Sequence, residues 1–284
     1  MRHPQATVRL ATPADLDWAI AQAAREGWNP GLHDAAAFLA QDPQGFLVAE
    51  LEGRPVGCIS AVRYDGNFAF SGFYIVVPEL RGQGLGVDLA GAALTRLAGF
   101  TVGLDGVVQQ QENYRRAGFV WQYANLRFGF ANPGFPRAPS HPFVPATQVP
   151  FADLLALDTA CFGFPRPRFL RAWLDLPDAF ALAAPGGADH GALGVIRRCR
   201  EGWKVGPLFA SDPAQADALF RQLCARVPTG DRVYLDVPQP NAAALALAAS
   251  HGLTKVFETA RMYLGPVPAL PLDRIFGVTT FELG

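Results

Sequence analysis

Val8-Arg9-Leu10 alternates apolar and polar positions and predicts a short first strand. Thr12-Pro13-Ala14-Asp15 follows, with Thr12 as N-cap and Pro13 at the first helical position, so a helix is expected to about Arg25. Gly27-Trp28-Asn29-Pro30-Gly31 breaks it. A second helix covers Asp34 to Ala40 and stops at Asp42-Pro43. Phe46 to Glu50 and Val56 to Tyr64 read as paired strands around the turn Glu52-Gly53-Arg54-Pro55. Asp65-Gly66-Asn67 turns into a β-rich run, Phe68 to Val77. A glycine-rich stretch then leads into an alanine-rich helix, Val87 to Ala98. Thr101 to Leu104 is a strand, Gln109 to Ala117 a helix stopped by Gly118, and Phe119 to Phe130 supplies the last strands.

The pattern then recurs. Residues 133–146 are rich in proline and glycine and read as a linker. Phe151-Ala152-Asp153-Leu154 opens a helix as Pro13-Ala14-Asp15-Leu16 did, and a second runs from about Arg168 to Leu174. Strands follow at Phe180–Ala184, Ala192–Arg198 and Trp203–Leu208, then a helix at Ala214–Arg226, a strand at Val233–Val237 and a helix at Asn241–His251. The pairs Asp15/Asp153, Phe46/Phe180 and Gly118/Gly252 are all offset by about 135 residues, which marks a divergent duplication. Two α/β domains are predicted, at 1–132 and 147–284.

Composition narrows the function. Half of the 284 residues are hydrophobic, enough for a substantial core, and the net charge is −1 without a long run of one sign. That excludes broad binding to nucleic acid or to a membrane surface. No apolar signal segment stands at the N-terminus and no window reads as a membrane span. Cys58, Cys161, Cys199 and Cys224 are scattered without a Cys-x-x-Cys pair, so reduced thiols and a cytoplasmic location are expected. The five histidines lack metal-ligand spacing, and no metal is expected.

The chemistry concentrates in Ile75-Val76-Val77-Pro78-Glu79-Leu80-Arg81-Gly82-Gln83-Gly84-Leu85-Gly86-Val87. Strand, bare turn and helix N-terminus together cradle a pyrophosphate through backbone N–H groups. No Lys-Ser or Lys-Thr completes a P-loop, and the sixth position of a dinucleotide fingerprint is Val87 or Leu89 instead of glycine. What remains, Arg-x-x-Gly-x-Gly behind a strand ending Val-Val-Pro-Glu-Leu, resembles the coenzyme A loop of the GNAT superfamily of N-acetyltransferases. The order of elements over residues 5–132 is that of a GNAT domain, and Tyr114 stands four residues before Gly118-Phe119, as in many members.

The resemblance implies two tandem GNAT folds, an α/β (α+β) architecture in which a mixed, mostly antiparallel central sheet is flanked by helices. It implies acetyl-CoA as cosubstrate. A bulge near Ile75, Val76 and Val77 would pair with the pantetheine arm and polarise the thioester. Arg81, Gly82, Gln83, Gly84, Leu85, Gly86 and Val87 would hold the pyrophosphate, with the Arg81 side chain either adding charge or lying on the surface. Asn113 would hydrogen-bond the coenzyme or cap locally. Tyr114 would protonate the leaving sulfur. Trp28 and Asn29 would shape the acceptor site. Many members carry a glutamate on the strand before the loop, but Phe68-Ala69-Phe70-Ser71-Gly72-Phe73-Tyr74 has no acid. Asp105 is the best-placed carboxylate by sequence, as base, acceptor ligand or turn anchor with Gly106. Asp236, Glu258 and Glu282 are further acids that the second copy could bring near the acceptor.

The second copy has lost this chemistry. Phe209-Ala210-Ser211-Asp212-Pro213-Ala214 replaces the glycine loop, and Ala248 stands where the first copy has Tyr114. Leu235-Asp236-Val237-Pro238, Arg261-Met262-Tyr263-Leu264-Gly265 and the tail from Phe276 to Gly284 resemble the holothin acyltransferase-like domain found behind some GNAT domains. The expectation is an N-acetyltransferase for a small amine, acting by direct transfer, with the second copy walling the acceptor pocket. The rival expectation is a coenzyme A-binding sensor or interaction protein that has kept the fold and lost turnover.

Overall fold

The computed structural model describes residues 6–136 and 143–284. Its strands form one thirteen-stranded sheet. In the first half the order along the chain is β1 (Ala6–Leu10), α1 (Pro13–Arg25), α2 (Asp34–Gln41), β2 (Phe46–Leu51), β3 (Arg54–Arg63), β4 (Phe68–Val76), α3 (Leu85–Arg96), β5 (Thr101–Val107), α4 (Gln111–Arg116) and β6 (Val120–Ala131). Thr12 caps α1 as expected: its hydroxyl accepts the Asp15 N–H at 3.2 Å, and the Asp15 carboxylate accepts the Thr12 N–H at 2.8 Å. Helix α3 begins two residues earlier than its apolar pattern indicates, because Gly84, in the left-handed region at φ 90°, is its N-cap. Ahead of α4, Val108–Gln110 tightens into a 3₁₀ turn.

The second half repeats the sequence of elements: β7 (Val144–Pro145), α5 (Phe151–Phe162), α6 (Pro167–Leu174), β8 (Ala179–Ala184), a single helical turn α7 (Gly187–His190), β9 (Ala192–Arg198), β10 (Trp203–Phe209), α8 (Pro213–Cys224), β11 (Arg232–Pro238), α9 (Ala242–Ser250) and β12 (Thr254–Leu264). A short β13 (Ile275–Gly277) follows. Strand β7 corresponds to β1 and falls inside the stretch expected to be linker, of which residues 137–142 lie outside the described residues.

The sheet order is β1-β2-β3-β4-β5-β12-β6-β11-β10-β9-β8-β7, with β13 on β10. The final strand of each half therefore sits in the other half: β12 pairs β5, and β6 pairs β11 over seven residues. The boundary drawn at residue 132 follows chain order and not the sheet, since β6 is held between two strands of the second half. Among the described residues, only β4–β5 and β10–β11 are parallel.

The halves also meet through α2 and α6, where Phe38 stacks on Trp173 at 6.3 Å. Buried ion pairs accompany this contact. Arg197 on β9 meets Asp34 at the start of α2 at 2.9 Å, and Arg127 on β6 meets Asp236 on β11 at 2.6 Å. Each guanidinium faces both oxygens of its carboxylate, the arrangement that best offsets desolvation. Among the described residues, no helix is long and apolar enough to cross a membrane.

Candidate active site

Strands β4 and β5 pair only from Phe68–Ser71 against Thr101–Leu104, and then diverge. The cause lies on the other edge of β4. Its register with β3 steps from Cys58↔Ile75 to Ser60↔Gly72, so Phe73 and Tyr74 together oppose Ile59. This is a bulge, with Phe73 at φ 49°. It lies earlier than the expected position at 75–77, because the Ser60 hydroxyl accepts the Gly72 N–H at 2.7 Å and fixes the break there.

The opening leads to two cavities. One, about 600 Å³, is lined by Arg81, Gly82, Gly86, Ile75, Val76 and Asn113 among others. The other, about 520 Å³, reaches Tyr114, Asp105, Phe73, Phe281 and Glu282. Trp28, Tyr74, Val107, Asn113 and Phe257 line both, so the two form one channel.

At the first end stands the glycine loop. Gly82 and Gly84 take φ 76° and 90°, and a side chain at either would be strained. The N–H groups of Arg81 and Val87 are used inside the loop, by Pro78 O at 3.3 Å and Gly84 O at 2.9 Å. Those of residues 82–86 find no acceptor among the described residues. Five bare amides at the N-terminus of a twelve-residue helix form an anion cradle that suits a pyrophosphate. This narrows the expected set: Val87 is 74% exposed at the rim and contributes no free amide. Gln83 turns its side chain to Glu79 O at 3.1 Å, leaving its backbone to the cradle. Leu85 is buried under α3. The Arg81 guanidinium bonds Val76 O at 2.8 Å and pairs with Glu26, so its charge is already matched. Val77 gives its N–H to Val56 O of β3 at 2.9 Å and is absent from the channel lining.

Tyr114 stands at the other end. Its ring packs against Gly106, where a Cβ would come within 2.1 Å of it, so only glycine at 106 lets β5 accept it. Phe119 packs edge-on at 6.5 Å. Burial, with Tyr74 beside it, raises the Tyr114 phenol far above the ordinary tyrosine range. The hydroxyl is thus protonated throughout neutral pH and available as a donor. The Asn113 amide donates to Gln110 Oε1 at 2.6 Å and faces both cavities.

Asp105 is not a free base. Arg261 of β12 donates to both its oxygens, at 2.8 and 2.7 Å, and Asn125 adds a third hydrogen bond at 2.8 Å. Asn29 is likewise elsewhere. Its side chain accepts the Glu201 N–H at 2.8 Å and donates to Glu201 O at 2.9 Å, pinning the α1–α2 loop to the β9–β10 hairpin. Lys204 Nζ reinforces this from below, on Asn29 O at 2.8 Å. Trp28 does line the channel.

Tyr74, Phe257, Thr259 and Phe281 are lining residues that the sequence did not single out. Tyr74 sits on the strand already expected to carry the site, one step past the bulge. The others come from the second half: strand exchange brings in Phe257 and Thr259 on β12, and the C-terminal tail brings in Phe281. Thr259 Oγ1 is buried without a hydrogen-bond partner among the described residues, a polar group left for a ligand. Among the described residues, no three His, Cys, Asp or Glu side chains gather into a metal-holding group.

In the second half, β10 and β11 diverge in the same way after Val205 and Leu235. That opening is filled by the chain itself. Strand β13 pairs β10 at Leu208↔Gly277, and the Val278 N–H donates to Asp236 O of β11 at 2.8 Å.

Residues 14–119 match the acetyltransferase (GNAT) family, and residues 154–277 match an acetyltransferase (GNAT) domain. The holothin acyltransferase of Pseudoalteromonas sp. (strain SANK 73390) is 32% identical over 94% of this chain and 90% of its own length. A putative acetyltransferase from Pyrococcus horikoshii has the same fold, with a TM-score of 0.81 at 22% identity over 100% of this chain and 98% of that one. A tandem GNAT protein of the clavulanic acid biosynthesis pathway superposes with a TM-score of 0.62 at 14% identity, covering 93% of this chain and 100% of that one. The chain belongs to the GNAT family, carries two GNAT domains in tandem, and is an N-acyltransferase.

Proposed function

We propose that the chain transfers an acetyl group from acetyl-CoA to the nitrogen of a small amine. The observation that carries this is the single channel running from the bare amides of 82–86 to the Tyr114 phenol. The cradle would take the pyrophosphate, and the diverging backbone of β4, at Ile75 and Val76, would lie along the pantetheine arm. Asn113 stands between them. Tyr114 would give its proton to the departing sulfur, which a phenol held in its neutral form can do.

A small acceptor suits the far end of the channel. The second half contributes Phe257, Thr259 and the tail at Phe281 to its walls, which narrows it toward a small acceptor. Trp28 and Phe73 add aromatic walls, which favour a flat or apolar amine. The Pseudoalteromonas relative is named for acylating holothin, and a compact acceptor is in keeping with that name. In this view residues 1–132 supply the reacting groups and residues 147–284 wall the acceptor site. The buried, reduced thiols fit a cytoplasmic setting.

The test is to incubate the protein with acetyl-CoA and a panel of small primary amines that includes 2-phenylethylamine, following free thiol release and the acylated product. Turnover with acetyl-CoA and at least one amine is the expected result. Thiol release without any N-acyl product would refute the amine acceptor.

A further inference from the structure

Amide formation from an alkylamine needs a group that removes a proton from the nitrogen. The acidic residues lining the channel are Glu26, Asp105 and Glu282. Glu26 is paired with Arg81, and Asp105 is closed by Arg261. Glu282 forms no ion pair among the described residues, although it is only 3% exposed. Its Oε2 accepts the Thr280 hydroxyl, and Oε1 accepts no hydrogen bond from any described residue.

The tail that carries Glu282 is firmly held. Residues 275–284 are buried throughout. Asn241 grips Ile275 O at 3.1 Å, Arg166 binds Thr279 Oγ1 at 2.8 Å and Gly284 O at 3.0 Å, and the Tyr64 hydroxyl binds Leu283 O at 2.8 Å. Two glycines let the tail through. A Cβ at Gly206 would come within 2.5 Å of Thr279 O, and one at Gly72 within 2.3 Å of Glu282 O. The tail thus leaves the filled opening of the second half, crosses Gly206, and docks on Gly72 beside the β4 bulge of the first.

We propose that Glu282 is the general base of the acyl transfer, delivered to the site of the first half by the tail of the second. This rests on the acetyl-CoA-to-amine reading above. One proton of the acceptor ammonium passes to Glu282 and on to solvent. The freed lone pair forms the N–C bond, and the C–S bond breaks. Sulfur leaves with the Tyr114 proton, and the second nitrogen proton restores the phenol through water. The charges facing Glu282 are Arg127 on β6, Arg197 on β9 and Lys204 on β10. Asp236 and Asp34 pair with the two arginines, and Tyr114 and Asp105, the latter closed by Arg261, line the same cavity as Glu282.

The test compares wild type, Glu282→Gln and Glu282→Asp between pH 6 and pH 10, using the best amine of the panel, with acetyl-CoA binding and thermal melting measured alongside. Glu282→Gln should bind acetyl-CoA as wild type does and lose about 100-fold in kcat/KM at pH 7. The loss should shrink about tenfold per pH unit as solvent deprotonates the amine. Glu282→Asp should keep the wild-type pH profile at a lower rate, and it decides the matter should the Gln variant fail to fold. Wild-type rates in Glu282→Gln, a loss in Glu282→Gln that pH does not relieve, or a Glu282→Asp profile that departs from the wild-type one, would overturn the assignment and leave Glu282 a packing residue. Absence of turnover by the wild-type protein with every amine would defeat the acetyl-transfer reading itself, and the base with it.

Discussion

Arg261 and Asp105 lie directly opposite each other on β12 and β5, and the guanidinium spans both carboxylate oxygens at 2.8 and 2.7 Å. The two residues are 156 positions apart in sequence. Their pair ties the exchanged strand of the second half to the strand that supports Tyr114. Both side chains are almost fully buried. Removing either partner leaves an uncompensated charge, so Asp105→Leu or Arg261→Met should each cost about 3–5 kcal/mol in urea unfolding. The double variant Asp105→Leu/Arg261→Met should cost less than either single change. Additive losses would show that the pair is not a coupled unit.

Tyr114→Phe removes only the hydroxyl and keeps the ring on Gly106. Turnover should fall by roughly 10²-fold with acetyl-CoA affinity unchanged. Steady-state kinetics beside calorimetric binding will separate the two. Unchanged kcat would take Tyr114 out of the chemistry.

Much of this arrangement was legible locally. The Thr12 cap, the glycine turn and the recurrence of the element order all rest on neighbouring residues, and each was found where the pattern put it. The strand exchange was not legible. Strands β6 and β12 each alternate in a way that suits either neighbour, and periodicity carries no information about which edge a strand joins. The roles of Asp105 and Asn29 depended on partners brought in by that exchange and by the β9–β10 hairpin. The bulge fell at Phe73 and Tyr74 because of a hydroxyl on the adjacent strand, a cue no single-strand pattern contains.

Acid sensitivity should centre on Asp15. The guanidinium of Arg9, at 2.6 Å, and the bonds from Thr12 hold its carboxyl down to about 2. A depressed carboxyl contributes stability above its unfolded value near 3.9, and that contribution is lost as pH falls towards 2. Arg9 is partly exposed, so solvent screening reduces the effect to on the order of 1 kcal/mol. Asp15→Asn should be less stable than wild type at pH 7, and the gap should close between about pH 4 and pH 2. Thermal melts across that range check it. A gap that persists at pH 2 would assign the effect to capping geometry alone.

All four cysteines are buried and free. Burial pushes the Cys58 and Cys161 thiols up to about 12, and raises Cys199 and Cys224 as well. A disulfide-exchange reagent at pH 8 should therefore titrate none of them in the folded protein and all four after denaturation. Rapid labelling of even one thiol in the native state would show that its strand opens locally.

One opening leads to a bare anion cradle, and its counterpart in the second half is filled by β13. The direct test is calorimetric titration of the purified protein with acetyl-CoA, beside a Gly84→Asp variant. That substitution puts a strained side chain and a negative charge into the cradle. The account predicts a single site per chain that the variant loses. Two sites, or a single site that survives Gly84→Asp, would contradict it.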